Sequence, residues 1–443
     1  MPDERRGLRL PQLLILYTAL AIGGFELGFF STINKWWIGD RLNDIRLAFE
    51  AVAGEFETPW YLDIPASDTT IMTYRPEAVA PGLVLVSGIT ADSNVFVHVI
   101  ERDGAIVQAW APDWFEIWPE NPREIPVKRR PNTLPGAVPH GQQVLDDGSL
   151  LMNYESLSTI RLSVCGELVW RRLNFGHHSI EPGPGGSYYV GAERSVAKGA
   201  QTGYDNHQAP LASYMIEQLD IDGNVLMSKE ILEILKENDL TGLMFLSTLE
   251  NIEVEVTGDT MHLNDIEMFP EGMQSDVFEP GDLMVSLRNI NTILVVDPET
   301  WKVKFQFTGG VLRHHDPDFV PGDKILVFDN RNLNPLQPED QRYSRIVEID
   351  ARTGTHREFF RGQGQTHFYT PAMGRQQLLP NGNLLITSTQ QGRAFEVDPG
   401  GSLVWEFNNV ISDDNNAVLM EANLLPLSMD RAFFEARRAE CGG

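Results

Sequence analysis

Residues Arg375–Phe407 read RQQLLPNGNLLITSTQQGRAFEVDPGGSLVWEF, and this stretch decides the fold. Asn381-Gly382 and Pro399-Gly400-Gly401 are turn signals, because glycine supplies the positive φ that other residues reach only with strain. They separate short apolar or alternating runs, so the segment reads as four short antiparallel strands joined by tight turns. The same unit recurs as HGQQVLDDGSLLMNYESLSTIRLSVCGELVW at His140–Trp170, and as HLNDIEMFPEG followed by DLMVSLRNINTILVVDPETWKVKFQF between His262 and Phe307. Two further copies begin at His177 and His314, and GLVLVSGITADSNVFVHVIERDGAIVQAW at Gly82–Trp110 supplies a sixth. One such blade cannot cover both of its faces, so six of them predict a closed ring: an all-β, six-bladed β-propeller over residues 58–443, C-terminal tail included. Helix is expected only at the N-terminus, around Ile231–Lys236 and at Asp430–Arg438.

Ahead of the repeats, Leu10–Ile33 reads LPQLLILYTALAIGGFELGFFSTI, with Glu26 its one ionisable group. That run is long enough to cross a hydrocarbon core as an N-terminal transmembrane helix. Arg5, Arg6 and Arg9 precede it, which favours a cytoplasmic N-terminus and a single-pass protein whose propeller lies on the periplasmic or extracellular side. Residues 1–34 are read as this uncleaved signal-anchor. A cleavable signal peptide is the competing reading, disfavoured by the length of the run and the lack of an A-x-A-like site. Over residues 35–57, Ile38, Leu42, Ile45, Phe49, Val52 and Phe56 alternate at steps of four and three. This predicts a short helical stalk, either a coiled-coil seam for a homo-oligomer or a helix packed on the propeller.

Formal charge is −27 over 443 residues, which repels a nucleic-acid backbone and sets nucleic acid aside as a partner. An anionic substrate would need an electropositive channel as a local exception. Only Cys165 and Cys441 are present. Neither a disulfide framework nor a cysteine metal site is indicated, and a single bridge between them stays open because their spatial separation is not given by sequence.

Chemistry becomes arguable where successive repeats carry histidine at equivalent points. His140, His262 and His315 each stand four residues before an apolar strand residue, namely Val144, Ile266 and Phe319; His177 and His178 stand three and two before Ile180. The first strand of a blade lies innermost, so these side chains should converge on the central channel. A neutral imidazole can act there as nucleophile, general base or metal ligand.

Several motifs add to this: H-x-N at His262 and Asn264, S-L-R-N with Arg288, R-H-H-D-P at Arg313–Pro317, F-D-N at Phe328–Asn330, then Q-x-L-P-N-G-N and F-E-V-x-x-x-G-x-L-V-W-E in the last blade. In this order, over about Pro139–Phe407, the chain resembles the bacterial arylsulfotransferases that act without a nucleotide sulfate donor. The resemblance implies a six-bladed propeller that moves a sulfuryl group from a phenolic sulfate to a phenol through a sulfated histidine, with no cofactor and no metal. By position it implies His315 as nucleophile, with adjacent His314 as the alternative. It implies His262, Asn264 and Arg288 as the set that binds sulfate and stabilises charge, and His178 or His177 as a further channel histidine. His140 joins the substrate-binding group. Thr387 or Thr389 stands for a late threonine of the family. Unlike many family members, the chain has an anchor and stalk, with only Thr58–Pro81 ahead of its first blade in place of a separate N-terminal β domain. The loop-rich stretch Ser195–Pro210 reads as a surface excursion able to cap the channel, with His207 exposed on it. Two other functions fit the same sequence: a non-catalytic membrane-tethered propeller serving as scaffold or binding subunit, and a metal-dependent hydrolase using the same imidazoles.

Overall fold

The computed structural model describes residues 59–65, 67, 69–197, 207–245, 256–333 and 337–441. The anchor and the stalk fall on residues 1–57 and lie outside the described residues, as does most of the excursion after Ser195. Among the described residues no helix is long and apolar enough to cross a membrane.

Six sheets form the blades, each with its strands in simple antiparallel succession. Blades 2 to 6 occupy residues 139–172, 177–230, 263–308, 315–360 and 375–408. Blade 1 is composite: Val84–Ile89, Val95–Ile100 and Ile106–Trp110 come from the start of the propeller, but its innermost strand, Leu419–Leu424, comes from the C-terminal end. Ile71–Thr73 adds a fifth, outermost strand to blade 6. The two ends of the ring are thus fastened twice by backbone hydrogen bonds, because blades 1 and 6 each contain strands from both. A disulfide between Cys165 and Cys441 ties the C-terminal tail, just beyond the helix Arg431–Arg438, to the outer hairpin of blade 2.

Burial follows the blade pattern. Second strands such as Val84–Ile89, Leu150–Tyr154 and Leu283–Leu287 are buried throughout, since a neighbouring blade covers each face. Outermost strands such as His356–Phe360 are mostly exposed. The hydrophobic core is accordingly divided into six clusters, one for each interface between adjacent blades. At about 25 cal/mol per Å² of apolar area, these interfaces are the main favourable contribution to folding. The expected helices near Ile231 and Asp430 are present as Ile231–Glu237 and Arg431–Arg438. Asp430 caps the latter by accepting from the Phe433 amide at 2.9 Å. His207 corrects the sequence reading: it is buried at 1% exposure, its Nε2 3.2 Å from the Met244 carbonyl oxygen.

What positions the site is an irregularity repeated around the ring. The inner strands of blades 1 to 5 pair with their neighbours through a register shift near their start: at Leu419/Glu421, Pro139/Gln142, His177/Ile180, Leu263/Asp265 and His315/Pro317. Such bulges place an extra residue on one strand and re-aim the side chains beside it. Four of the five carry left-handed backbone close by, at Gly141 (φ 89°), His178 (φ 58°), His262 (φ 52°) and Asp316 (φ 48°). Non-glycine residues reach that region at a cost of about 1–2 kcal/mol each, and the strain falls on or beside the histidines.

Gly141 shows how tight this packing is. A Cβ there would lie 1.5 Å from the His178 carbonyl oxygen. Gly141→Ala is therefore expected to cost about 3 kcal/mol or more, whereas Gly166→Ala, at φ 85° with nothing within 4 Å, should cost only about 1 kcal/mol. Denaturant midpoints of the two variants check this, and equal midpoints would contradict it.

Candidate active site on the propeller axis

The bulges bring five imidazoles from four blades together at the beginning of the inner strands. His178 sits at the centre, with ring centroids 4.1 Å from His140, 5.2 Å from His177, 5.2 Å from His262 and 5.8 Å from His315. The convergence expected from the repeat is thus present for His140, His177, His178, His262 and His315. His314 departs from it. Its backbone carbonyl accepts from Asn264 Nδ2 at 2.6 Å, while its ring is fully buried with both nitrogens unpartnered and makes none of these ring contacts.

Three of the imidazoles are held in the same way. Nδ1 of His140 lies 2.8 Å from Glu155 Oε2, Nδ1 of His262 lies 2.8 Å from Asp259 Oδ2, and Nδ1 of His315 lies 2.7 Å from Asn330 Oδ1. Asn330 fixes the last tautomer. Its Nδ2 donates to the carbonyls of Thr370 and Met373 at 2.8 and 2.7 Å, so Oδ1 must accept from His315 Nδ1–H, which leaves the lone pair on Nε2. That lone pair receives a long hydrogen bond, 3.2 Å, from the Met373 amide. Asp259 is itself steadied by the Tyr214 hydroxyl, which donates to Oδ1 at 2.6 Å. His262 Nε2 is buried without a partner.

Burial dominates the electrostatics. It pushes His177 and His314 down to about 3, aided by neighbouring positive charge at Arg288 in the case of His314. It also holds His178 and His315 well below the usual histidine range, with His140 and Arg288 respectively adding to the effect. These rings are neutral at physiological pH. Burial opposes ionisation of Glu155 too, yet His140 brings its carboxyl down to about 2. Asp259 is lowered despite burial, by His262, Tyr214 and Arg288. Arg288, just after the second strand of blade 4, is pushed down to about 10 by burial and by Arg313 and remains a cation.

The space between these groups is small, about 10 Å³, bounded by His140, His178, Asn264, His315, Arg375 and Glu421 among others. It holds about one water. Its floor corrects the expectation of an electropositive channel, because Asp265, Asp316 and Glu421 line it. Arg375 pairs with Asp316 at 2.9 Å and with Glu421 at 3.0 Å. Burial and the charge of Asp316 raise Asp265 to about 7, and burial raises Asp316 itself. The axis therefore carries far less negative charge than its composition suggests.

Thr387 and Thr389 are buried behind the inner strand of blade 1. Thr387 Oγ1 accepts from the Ala422 amide at 3.1 Å, and Thr389 Oγ1 lies 3.5 Å from the Met420 carbonyl. Neither lines the axial cavity. Asn264 does line it, and its Oδ1 has no partner. Sequence reasoning missed Glu155, Asp259, Tyr214, Arg375 and Glu421. Asp259-x-x-His262 has a local spacing that could have signalled the pair; Glu155 meets His140 through the pairing of the first two strands of blade 2, and the others meet their partners only between blades. His140, Glu155 and His178 also form a potential metal group, their ligand atoms all lying within 4.8 Å of one another.

Solved structures similar in fold include a protein of unknown function from Bacteroides caccae (12% identity, TM-score 0.45, covering 77% of this chain and 100% of that one). Virginiamycin B lyase from Staphylococcus aureus (11%, 0.39, 76% and 87%) and Kuenenia stuttgartiensis hydrazine synthase (13%, 0.39, 82% and 91%) are also similar. No curated protein matches the chain. The family model described as Arylsulfotransferase (ASST) matches residues 141–410, more than half of the sequence and nearly all of blades 2 to 6. The chain belongs to the arylsulfotransferase family.

Proposed function

We propose that this propeller transfers a sulfuryl group from a phenolic sulfate to a phenol acceptor through a sulfohistidine on His315. The observation that carries the reading is the state of that ring: neutral, with Nδ1–H committed to Asn330 and the lone pair on Nε2 held only by the Met373 amide. In the first half-reaction Nε2 attacks sulfur. The N–S bond forms, the S–O bond to the aryl oxygen breaks, and the departing phenolate takes a proton from His262 Nε2. In the second, the acceptor oxygen attacks sulfur, its proton goes to His262, and the N–S electron pair returns to His315. Asp259 supports this exchange because its carboxylate stabilises positive charge on His262. Arg288 supplies the fixed positive charge for the sulfuryl oxygens, and the Asn264 amide borders the same space. Because the cavity takes about one water, a substrate must displace that water and loosen the Met373 amide from Nε2 on entering.

The disulfide supports placing the propeller outside the cytoplasm, since such bonds persist in oxidising compartments. That location agrees with the arginines ahead of the apolar N-terminal run.

A second reading has its own observation, the grouping of His140, Glu155 and His178. Two imidazoles and a carboxylate suit zinc or non-haem iron with open positions for a substrate. Elemental analysis of the purified full chain decides it: the transferase reading expects substoichiometric metal and activity that survives chelation. Stoichiometric zinc or iron, with activity lost on its removal, would favour the hydrolase.

Exposure to 4-nitrophenyl sulfate, followed by digestion and mass spectrometry, should yield a sulfated peptide containing His314 and His315. His315→Asn should abolish that adduct and lower kcat by on the order of 10³-fold or more, whereas an adduct that persists in this variant would move the nucleophile elsewhere. The pH profile gives an independent check. A histidine base with a depressed pKa loses activity only as pH falls through that depressed value, so the acid limb of kcat/KM for the nucleophile should lie well below pH 6.5. An acid limb at or above 6.5, assigned to His315 by its shift in a Asn330→Asp variant, would contradict the geometry.

A further inference from the structure

At the opposite ends of the inner strands from the histidines, the axis opens into a chamber of about 520 Å³, within the range of small-molecule sites. All six blades contribute to its wall, which includes Gln142, Glu181, Glu267, Asp318, Arg375 and Leu424. We propose that this chamber binds a small organic ammonium compound with an apolar body, its charge held by Glu181, Glu267 and Asp318.

Charge is the first reason. Among the described residues Arg375 is the one cationic side chain lining the chamber, and its guanidinium is already committed to Asp316 and Glu421 deeper on the axis. Among the described residues Glu181, Glu267 and Asp318 therefore face the same space with no close ion pair of their own. Glu181 accepts only a long bond, 3.3 Å, from the Met268 amide, and Asp318 accepts from Gln376 Nε2 at 2.7 Å. Among the described residues no side chain bonds the Glu267 carboxylate. Burial raises all three above the usual carboxylate range, Glu181 to about 8, with nearby carboxylates adding to the effect and Arg375 offsetting it only in part at Glu181 and Asp318.

The second reason is independent of charge. Gln142 is 4% exposed and neither polar atom of its amide has a partner; Gln376 is 3% exposed and its Oε1 is also unpartnered. Both side chains line the chamber. Buried amide groups left unsatisfied cost about 1–3 kcal/mol each, and a ligand carrying hydrogen-bond donors would satisfy the free oxygens.

The shape of the charge selects an organic cation over a metal ion. Among the described residues the only acidic or histidine set with mutually close ligand atoms is the one at the other end of the axis, so the chamber carboxylates are too spread for direct chelation. Apolar side chains complete the wall, including Ile180, Phe319, Val320 and Leu424. An ammonium has three donors for dispersed acceptors, and a hydrocarbon body can pack on the apolar side.

Calorimetry on the full chain tests this with two probes of nearly equal shape, phenethylamine and 2-phenylethanol. Saturable binding of the amine, at least tenfold tighter than the alcohol, is expected, and Glu267→Gln should weaken it at least tenfold without lowering the melting temperature. If that variant does not fold, Gln142→Leu serves as the second variant, expected to weaken the amine severalfold. Comparison of the two probes on the unaltered protein requires no variant at all. Equal binding of both probes, absence of saturable amine binding, or stoichiometric Ca²⁺ that phenethylamine does not displace would each overturn the proposal. None of these readouts depends on sulfuryl transfer.

Discussion

Exclusion of water from the propeller axis is the constraint on which the rest of the structure depends. Six inner strands converge there; blades 2 to 5 bring histidines to one end, and carboxylates lie farther along the axis. In a space that admits about one water at its centre, a charge survives only if another charge or a set of hydrogen bonds replaces its hydration. The axis meets this in three ways. His177, His178, His314 and His315 give up their protons. Asp265 and Asp316 move toward keeping theirs. Glu421 pairs with Arg375 and also accepts from the Gly141 amide at 2.5 Å. A net charge of −27 on the whole chain is therefore compatible with a site for an anion, because the axis itself has been largely discharged.

The same desolvation gives neighbouring histidines different tasks according to what holds each Nδ1. A carboxylate lies behind the ring at His140 and His262, and a neutral carboxamide lies behind it at His315. Asn330 can serve only as an acceptor toward His315 because both of its N–H groups are spent on backbone carbonyls. A group-transfer site needs one ring that stays unprotonated to attack and another that can hold a proton to release. This axis provides that difference through single oxygen atoms in the layer behind the rings.

Legibility in the sequence followed the range of the interactions involved. Turns, strands and their repetition are local, so residues 375–407 alone disclosed the blade, and the spacing of His140, His178, His262 and His315 ahead of apolar residues disclosed their convergence. The closing strand Leu419–Leu424 was not legible as part of blade 1, because it pairs with residues more than 300 positions earlier and nothing in its own pattern identifies that partner. The Cys165–Cys441 bond, across 276 residues, was open for the same reason. Glu155 directly follows a second strand like many surface acids, and only the pairing of that strand with the inner strand of blade 2 makes it the support of His140. His207 misled because a loop-rich neighbourhood suggests exposure, whereas its short bridge to Val256 and its contact with the Met244 carbonyl bury it.

The hydrogen bond from the Met373 amide to His315 Nε2 bears on why such a site would be kept nearly closed. A neutral imidazole in a dry cavity with an unsatisfied lone pair would be costly, by about 1–3 kcal/mol, and would invite water. A 3.2 Å bond from a backbone amide satisfies it weakly, enough to hold the ring in one orientation and weak enough to be exchanged for a sulfur atom. Met373 has left-handed backbone at φ 63° and precedes Gly374 at φ 98°, so the donor sits on a short segment held away from the common conformations. Relaxation of that segment would withdraw the amide from Nε2 without moving the bulged strand that carries His315. The Met373 carbonyl also accepts from Asn330 Nδ2 at 2.7 Å, so a shift of that segment would free the proposed nucleophile and leave Asn330 held by the Thr370 carbonyl alone.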